Sequence, residues 1–265
     1  MTMTMRRLEG RLSRTRTMSA EDYRVRIMAS CVRLAVSNEV ERYHMKAIHV
    51  ELDGRETRMI STDTYRMHTV AIEDGPEGST GPVISQKLDG PAIERAAKLG
   101  DAVLQEWGAG EMFPPWTKVF DKAQKDRGCT MTIRLETLAE ALGRSVVLQE
   151  PRHTATVLDL ETQNYQEALI VRAQPYDGEF SETIRWSCFE GRGYAGFKYG
   201  VNPGYLLDAL QMVAWTQDFS EIPREAQFVK LGFAESGLAE THLLVESPMI
   251  KLEITPRAVI MPVRL

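Results

Sequence analysis

Cysteine is scarce in this 265-residue chain, which carries only Cys31, Cys129 and Cys188. Three thiols, odd in number and far apart, offer neither a disulfide framework nor a C-x-x-C metal or redox pair, and they fit a reducing cytoplasm. Long hydrophobic runs are missing as well. No apolar stretch approaches the roughly 18 residues that cross a bilayer, and no apolar stretch precedes a small-residue cleavage site near the N-terminus. The expectation is a protein neither secreted nor membrane-embedded. Catalytic signatures are also absent: no G-x-S-x-G, H-E-x-x-H or P-loop occurs, so no catalytic centre, metal site or cofactor is expected.

What is present is the balance of a soluble globular chain, 43% apolar and 26% charged, with length for two domains. The net charge of −5 argues against a surface that is a nucleic-acid footprint throughout. The charge is uneven, however. Residues 1–35 hold eight arginines against Glu9, Glu21 and Asp22. Residues 1–19 place Met1, Met5, Leu8 and Leu12 at helical spacing among arginines. Such a segment reads as a flexible basic arm, as an arm that touches phosphates, or as an organelle transit peptide.

Further on, periodicity predicts a helix over 21–37, with Tyr23, Ile27, Cys31 and Leu34 on the apolar stripe and Arg26, Ser30, Arg33 and Ser37 opposite. Strand-like segments follow at 45–51, 58–61 and 68–72, with Asp53-Gly54 as a turn. Pro91 then opens a helix over 92–99 that Gly100 stops. The second half repeats this order: a helix stripe at Leu135, Leu138, Leu142 and Val146, strands at 155–160, 167–173 and 183–189, and a helix over 204–213 opened by Pro203. Pro91 follows Tyr23 by 68 residues, and Pro203 follows Leu135 by the same 68. Two copies of one supersecondary plan account for this. The charged stretch 118–128 reads as the join.

Two patterns have a bland and a functional reading. Residues 191–196 spell G-x-G-x-x-G, but a dinucleotide site needs those glycines to open a helix directly, and here a strand-like Phe197-Lys198-Tyr199 comes next. A hairpin loop is the better reading. His44 and His49 lie on one strand-like segment with no zinc-spaced partners, and read as ordinary strand residues.

Four stretches together resemble the bacterial DNA sliding clamp, the beta-subunit family of DNA polymerase III: Ser61-Thr62-Asp63-Thr64-Tyr65-Arg66-Met67, Phe113-Pro114-Pro115-Trp116, the run from Asn202 to Leu210, and Ile260 to Leu265. The resemblance covers residues 21–265 and the middle and last of the family's three domains. It implies an α+β protein of two tandem clamp domains, each with two helices packed on antiparallel sheet, over 20–118 and 129–265 with a linker at 119–128. One departure is evident: where the family has Thr-Asp-Gly-His-Arg-Leu, this chain has Thr62-Asp63-Thr64-Tyr65-Arg66-Met67.

In that family the stretches converge on a cleft between two domains that receives short linear peptides of polymerases, the clamp loader and repair proteins. Carried over by position, its wall comprises Met45, Thr62, Arg66, Met67, Pro114, Val119, Asn202, Tyr205, Met261, Pro262, Val263 and Arg264. By spacing alone, Met67, Met261 and Val263 read more readily as strand core residues, and it is the resemblance that places them in the wall. Family rings hold six domains, so two domains per chain imply a homotrimer. Inner helices would meet duplex DNA without reading its sequence, which makes Arg26, Arg33, Arg95, Lys98 and Arg144 the DNA-facing candidates, unless they are merely a solvated helix face. The implied function is a processivity factor without enzymatic chemistry, in the cytoplasm with the nucleoid. The competing reading is a clamp-like peptide-binding module that does not encircle DNA.

Overall fold

The computed structural model describes residues 15–18, 23–39, 41–53, 55–73, 83–100, 102–108, 112–147, 155–163, 166–173, 178–191, 197–234, 242–249 and 252–263. The chain divides into two compact units. The first holds residues up to Asp63, Thr69–Pro114 and Glu253–Thr255, and the second holds Thr64–His68, Pro115–Leu252 and Pro256–Leu265. No helix among the described residues is long and apolar enough to cross a membrane.

The first unit contains β1 (Thr15–Met18), α1 (Tyr23–Arg33), β2 (Ala47–Leu52), β3 (Glu56–Thr62), β4 (Arg66–Glu73), β5 (Ile84–Asp89), α2 (Gly90–Leu99) and β6 (Ala102–Gln105); the first three residues of β4 cluster with the second unit. Its strands run in the order β1-β6-β5-β2-β3-β4. In the central pair, β2 meets β3 with His49 opposite Ile60 and meets β5 with Ala47 opposite Asp89, both antiparallel. Residues 15–18, expected within a flexible arm, instead form β1, with Thr15 opposite Gln105 and Met18 opposite Ala102. The rest of the arm lies outside the described residues.

Helix α2 starts and stops where Pro91 and Gly100 predict. Proline needs no N–H in the first turn, and Gly100 takes the left-handed conformation (φ 72°) and donates its N–H to the Ala96 carbonyl at 2.9 Å. Helix α1 departs from expectation in two ways. It ends at Arg33, not Ser37, and its buried face is Val25, Met28, Ala29 and Val32 together with Cys31. Of the expected apolar stripe, Tyr23 is 55% exposed, whereas Ser37 from the expected polar stripe is 4% exposed. Ser37 instead leaves the helix and donates its N–H to the Met45 carbonyl at 2.9 Å, while α1 packs on α2, where Ser30 Oγ donates to the Ala97 carbonyl at 3.3 Å. The small Ala29, Ala96 and Ala97 on these two packed helices are all buried. The Ser61 hydroxyl donates to the Val32 carbonyl and ties α1 to β3.

The second unit contains α3 (Trp116–Lys125), β7 (Arg127–Arg134), α4 (Leu135–Val147), β8 (Thr156–Gln163), β9 (Gln166–Ala173), β10 (Phe180–Ile184), β11 (Cys188–Gly191), β12 (Phe197–Val201), α5 (Pro203–Phe219), β13 (Phe228–Ala234), β14 (Leu243–Glu246) and β15 (Thr255–Ile260). Its strands run β15-β14-β13-β7-β11 on one side and β10-β9-β8-β12 on the other. Helices α4 and α5 pack together, and α4 touches strands of both groups. The stretch 118–128, read as a loop-like join, is mostly helix α3, whose Phe120 and Ala123 are buried. The single strand expected at 183–189 is two: β10 pairs β9, while β11 pairs β7 with Cys188 opposite Thr132. The chain turns between them at Arg185–Ser187, and the Ser187 N–H bonds the Thr132 carbonyl at 2.8 Å.

Gly232 on β13 makes room for its neighbour. A Cβ there would stand 2.8 Å from Arg127 Cδ, so glycine leaves room for the arginine stem to reach Glu246 at 3.3 Å. Glycines 193 and 196 of the G-x-G-x-x-G pattern lie outside the described residues, but the flanking segments are strands β11 and β12, and the next helix begins only at Pro203.

Candidate functional site

Helix α5 carries one half of the candidate site. Asn202 caps it, its side-chain oxygen accepting from Gly204 N at 2.9 Å and Tyr205 N at 3.3 Å. This satisfies orphan donors of the first turn and fixes the start of the helix that presents Tyr205 and, one turn on, Asp208. Residues three apart share a helix face.

The other half is the turn entering β4. Thr64 there is non-glycine with φ 79°, the conformation for which the clamp family's glycine is suited. The Tyr65 carbonyl accepts from Met261 N at 2.8 Å. Next to it, the Arg66 guanidinium is ion-paired with Asp208 and lies over the Tyr205 ring, 4.4 Å from its centroid. Tyr65 and Tyr205 stack with centroids 6.3 Å apart and planes 22° apart. A cation on an aromatic face with a carboxylate partner is both oriented and charge-neutralised. Around this cluster are half-buried Met261, Pro262 and Val263, with the Val263 N–H donating to the Gly200 carbonyl at 2.9 Å.

Of the twelve residues carried over as a peptide wall, this cluster joins Arg66, Tyr205 and Met261 by direct contacts and includes Asn202 as the helix cap. Met67 is 5% exposed and belongs to the core. Val119 is half-buried on α3. Met45, Thr62 and Pro114 belong to the first unit. Met45 ends a single 3-10 turn (Tyr43–Met45) instead of starting a strand, and Thr62 is 3% exposed. Arg264 lies outside the described residues. Sequence reading missed Asp208 and Tyr65. The i, i+3 spacing from Tyr205 to Asp208 was visible, but not that Arg66, 142 residues away, would meet both.

The candidate nucleic-acid face is on α1 and α2. Arg26, Arg95 and Lys98 are exposed and Arg33 is partly so. Glu94, absent from the sequence-level candidates, bridges two of them, with Arg33 and Lys98 each at 3.3 Å. Those contacts, the Lys98 hydrogen bond first, hold the Glu94 carboxyl below the usual carboxylate range. Arg26 lies 5.8 Å over the Tyr23 ring. Arg144 on α4 differs: Glu182 accepts from its Nη2 at 2.6 Å and its Nε at 3.0 Å, and Glu140 stands at 3.5 Å. Two carboxylates therefore offset its charge.

The two histidines are separated, His44 in the 3-10 turn and His49 on β2. His49 stacks on Phe113 at 4.8 Å, leans on Trp107 at 5.7 Å and meets Glu51 Oε1 with its Nε2 at 3.0 Å. It is a packing residue of the first unit.

No family model and no curated protein matches the sequence. Solved structures do. DNA polymerase III subunit beta of Pseudomonas aeruginosa superposes on 97% of this chain with a TM-score of 0.72 and 18% identity. The chain has the sliding-clamp fold. The beta subunits of Thermotoga maritima (TM-score 0.73, 14% identity, 97% of this chain and 67% of that one) and Streptococcus pyogenes (0.72, 13%, 97% and 69%) agree. The match takes in 68% of the Pseudomonas chain, so this clamp-fold chain spans about two thirds of the length of those proteins.

Proposed function

We propose that the protein is a DNA sliding clamp, a ring that surrounds duplex DNA and tethers a polymerase and its loader through short peptides docking beside Tyr205 and Met261. The observation that carries this reading is the clamp fold over 97% of the chain. Two local features support it. The first unit carries a helix pair that exposes Arg26, Arg95 and Lys98 and part of Arg33 against the single Glu94 of those helices, a charge balance that suits phosphate contact without base readout. The second unit presents an aromatic surface with an oriented cation, flanked by a methionine, a side chain that adapts to several partners. Tethering raises a bound partner's effective concentration at the template, so modest peptide affinity suffices and no chemistry or cofactor is called for.

Two units per copy make a ring of six with three copies. Native mass spectrometry at micromolar concentration tests this: a trimer is expected, and monomer or dimer alone would refute that closure. For the peptide surface, Met261→Asp puts a charge at the rim and should abolish binding of a Gln-x-x-Leu-Phe peptide while leaving the oligomer intact. Unchanged affinity would mean the surface is misassigned.

A second reading has an observation of its own. Helix α4 offers Glu136 and Glu140 against an Arg144 already paired, and α5 has Asp208 and Asp218 with no Lys or Arg. These two helices of the second unit are therefore poor partners for DNA, which favours a clamp-like module that occupies clamp-binding peptides without encircling a duplex. Retention on closed circular DNA supports the ring; peptide binding without retention supports the module.

A further inference from the structure

We propose that Asp208 sets ligand specificity at the Tyr205 surface by keeping Arg66 electrically silent, so that the complementary segment places an uncharged residue there. The inference rests on the peptide-binding reading and adds the chemical class of the ligand at its centre.

Among the described residues Arg66 is the cation of this surface, and its side chain is only 11% exposed. Asp208 takes its charge and Tyr205 its flat face. The approach is fixed from both sides. On one side, Asn202 sets the first turn of α5 and Asp208 follows Tyr205 on the same face. On the other, the bond from Met261 N to the Tyr65 carbonyl holds the residue before Arg66. A ligand carboxylate that sought Arg66 would have to displace Asp208, or sit beside it as a second negative charge. Either costs binding energy, because like charges brought together and stripped of water repel. An uncharged apolar or aromatic residue leaves the pair intact and packs on the Tyr65 and Tyr205 rings. Specificity here comes from an element that repels as much as from those that attract.

The test uses two fluorescein-labelled peptides of the Gln-x-x-Leu-Phe type, identical except that one carries Ser and the other Glu next to the Leu-Phe pair. Their affinities for the full-length protein are compared by anisotropy. Wild type should prefer the neutral peptide by about five-fold, the scale of one partly exposed charge contact. Asp208→Asn, which removes this counter-charge from Arg66, should abolish or invert that preference. Asp208→Ser should move the ratio in the same direction, and adding Arg66→Gln to Asp208→Asn should cancel the gain for the acidic peptide. A ratio of two peptides on one variant does not move when a residue acts only through stability. The same ratio in wild type and both Asp208 variants would overturn the specificity role while leaving peptide binding standing. If neither peptide binds wild type, the peptide reading itself fails and takes this one with it.

Discussion

Thr64 stores strain that a series of small substitutions can read out. Its φ of 79° lies in the left-handed region, where a Cβ costs roughly 1–2 kcal/mol and a β-branched side chain is an outlier. The turn cannot relax, because Arg42 Nη1 holds the Asp63 carbonyl at 2.6 Å and Met261 N holds that of Tyr65 at 2.8 Å. Comparing Thr64→Gly with Thr64→Ala isolates the backbone effect, since both lack the hydroxyl and the branch. At an ordinary φ, alanine is the more stable of the two by about 0.5–1 kcal/mol, through the entropy of the unfolded chain. Here the left-handed penalty outweighs that entropy, and glycine should be the more stable by about 0.5–1 kcal/mol. For a chain of this size, that is a melting-temperature gap of roughly 1–4 °C. Thr64→Asn should fall between them, because asparagine tolerates the conformation. Differential scanning calorimetry of the three variants is the assay. Alanine equal to or above glycine would refute the strain and the turn geometry with it.

Other outcomes follow from the same structure. Glu94→Gln should free Arg33 and Lys98 for phosphate and steepen the log affinity against log salt slope for a short duplex by about one to two units; an unchanged slope would mean that this helix face does not meet DNA. Burial pushes the Cys129 thiol up to about 11 and raises that of Cys31 further, whereas Cys188 is exposed. At pH 8 a disulfide reagent should therefore titrate one thiol in the native protein and three in denaturant, and fast reaction of three native thiols would contradict the packing of β7 and α1. Burial, with help from the Lys122 charge, lowers the pKa of His242. Below about pH 6.5 the unfolded chain takes up a proton that the folded one refuses, so stability drops on acidification. His242→Gln should shrink the fall in urea midpoint between pH 7.5 and 5.5, and an equal fall would rule His242 out.

Four helices, the proline-opened ones at Pro91 and Pro203 among them, and strands β2, β3, β4, β8, β9 and β12 could be read in advance, because capping residues and hydrophobic alternation act locally; β1, β5, β6, β7, β13, β14 and β15 were not. Tertiary packing decided the rest. On α1 periodicity favours the stripe Tyr23, Ile27, Cys31 and Leu34, of which only Cys31 is buried, and packing buries Val25, Met28, Ala29 and Val32 beside it. Helix α3 does carry an amphipathic signal at Trp116, Val119, Phe120 and Ala123, but its charges resembled those of a loop. Carrying the peptide wall over by position brought Arg66, Tyr205 and Met261 together on one surface, yet it also drew in the core residue Met67. The Asp208 and Glu94 carboxylates, which decide how much charge each surface shows, are partners that no local pattern announces.

The Asn202 cap limits what that residue can say to a ligand. Both lone pairs of its side-chain oxygen are engaged by Gly204 N and Tyr205 N, so the group with hydrogen bonds left to give is the NH2. If the proposed peptide docks here, the amide meets it as a donor and would be answered by a carbonyl. Asn202→Asp would keep the cap and suit the positive helix end while turning that donor into an acceptor. Folding and the proposed recognition would therefore use different atoms of one side chain and can be separated by exchanging a single nitrogen for oxygen.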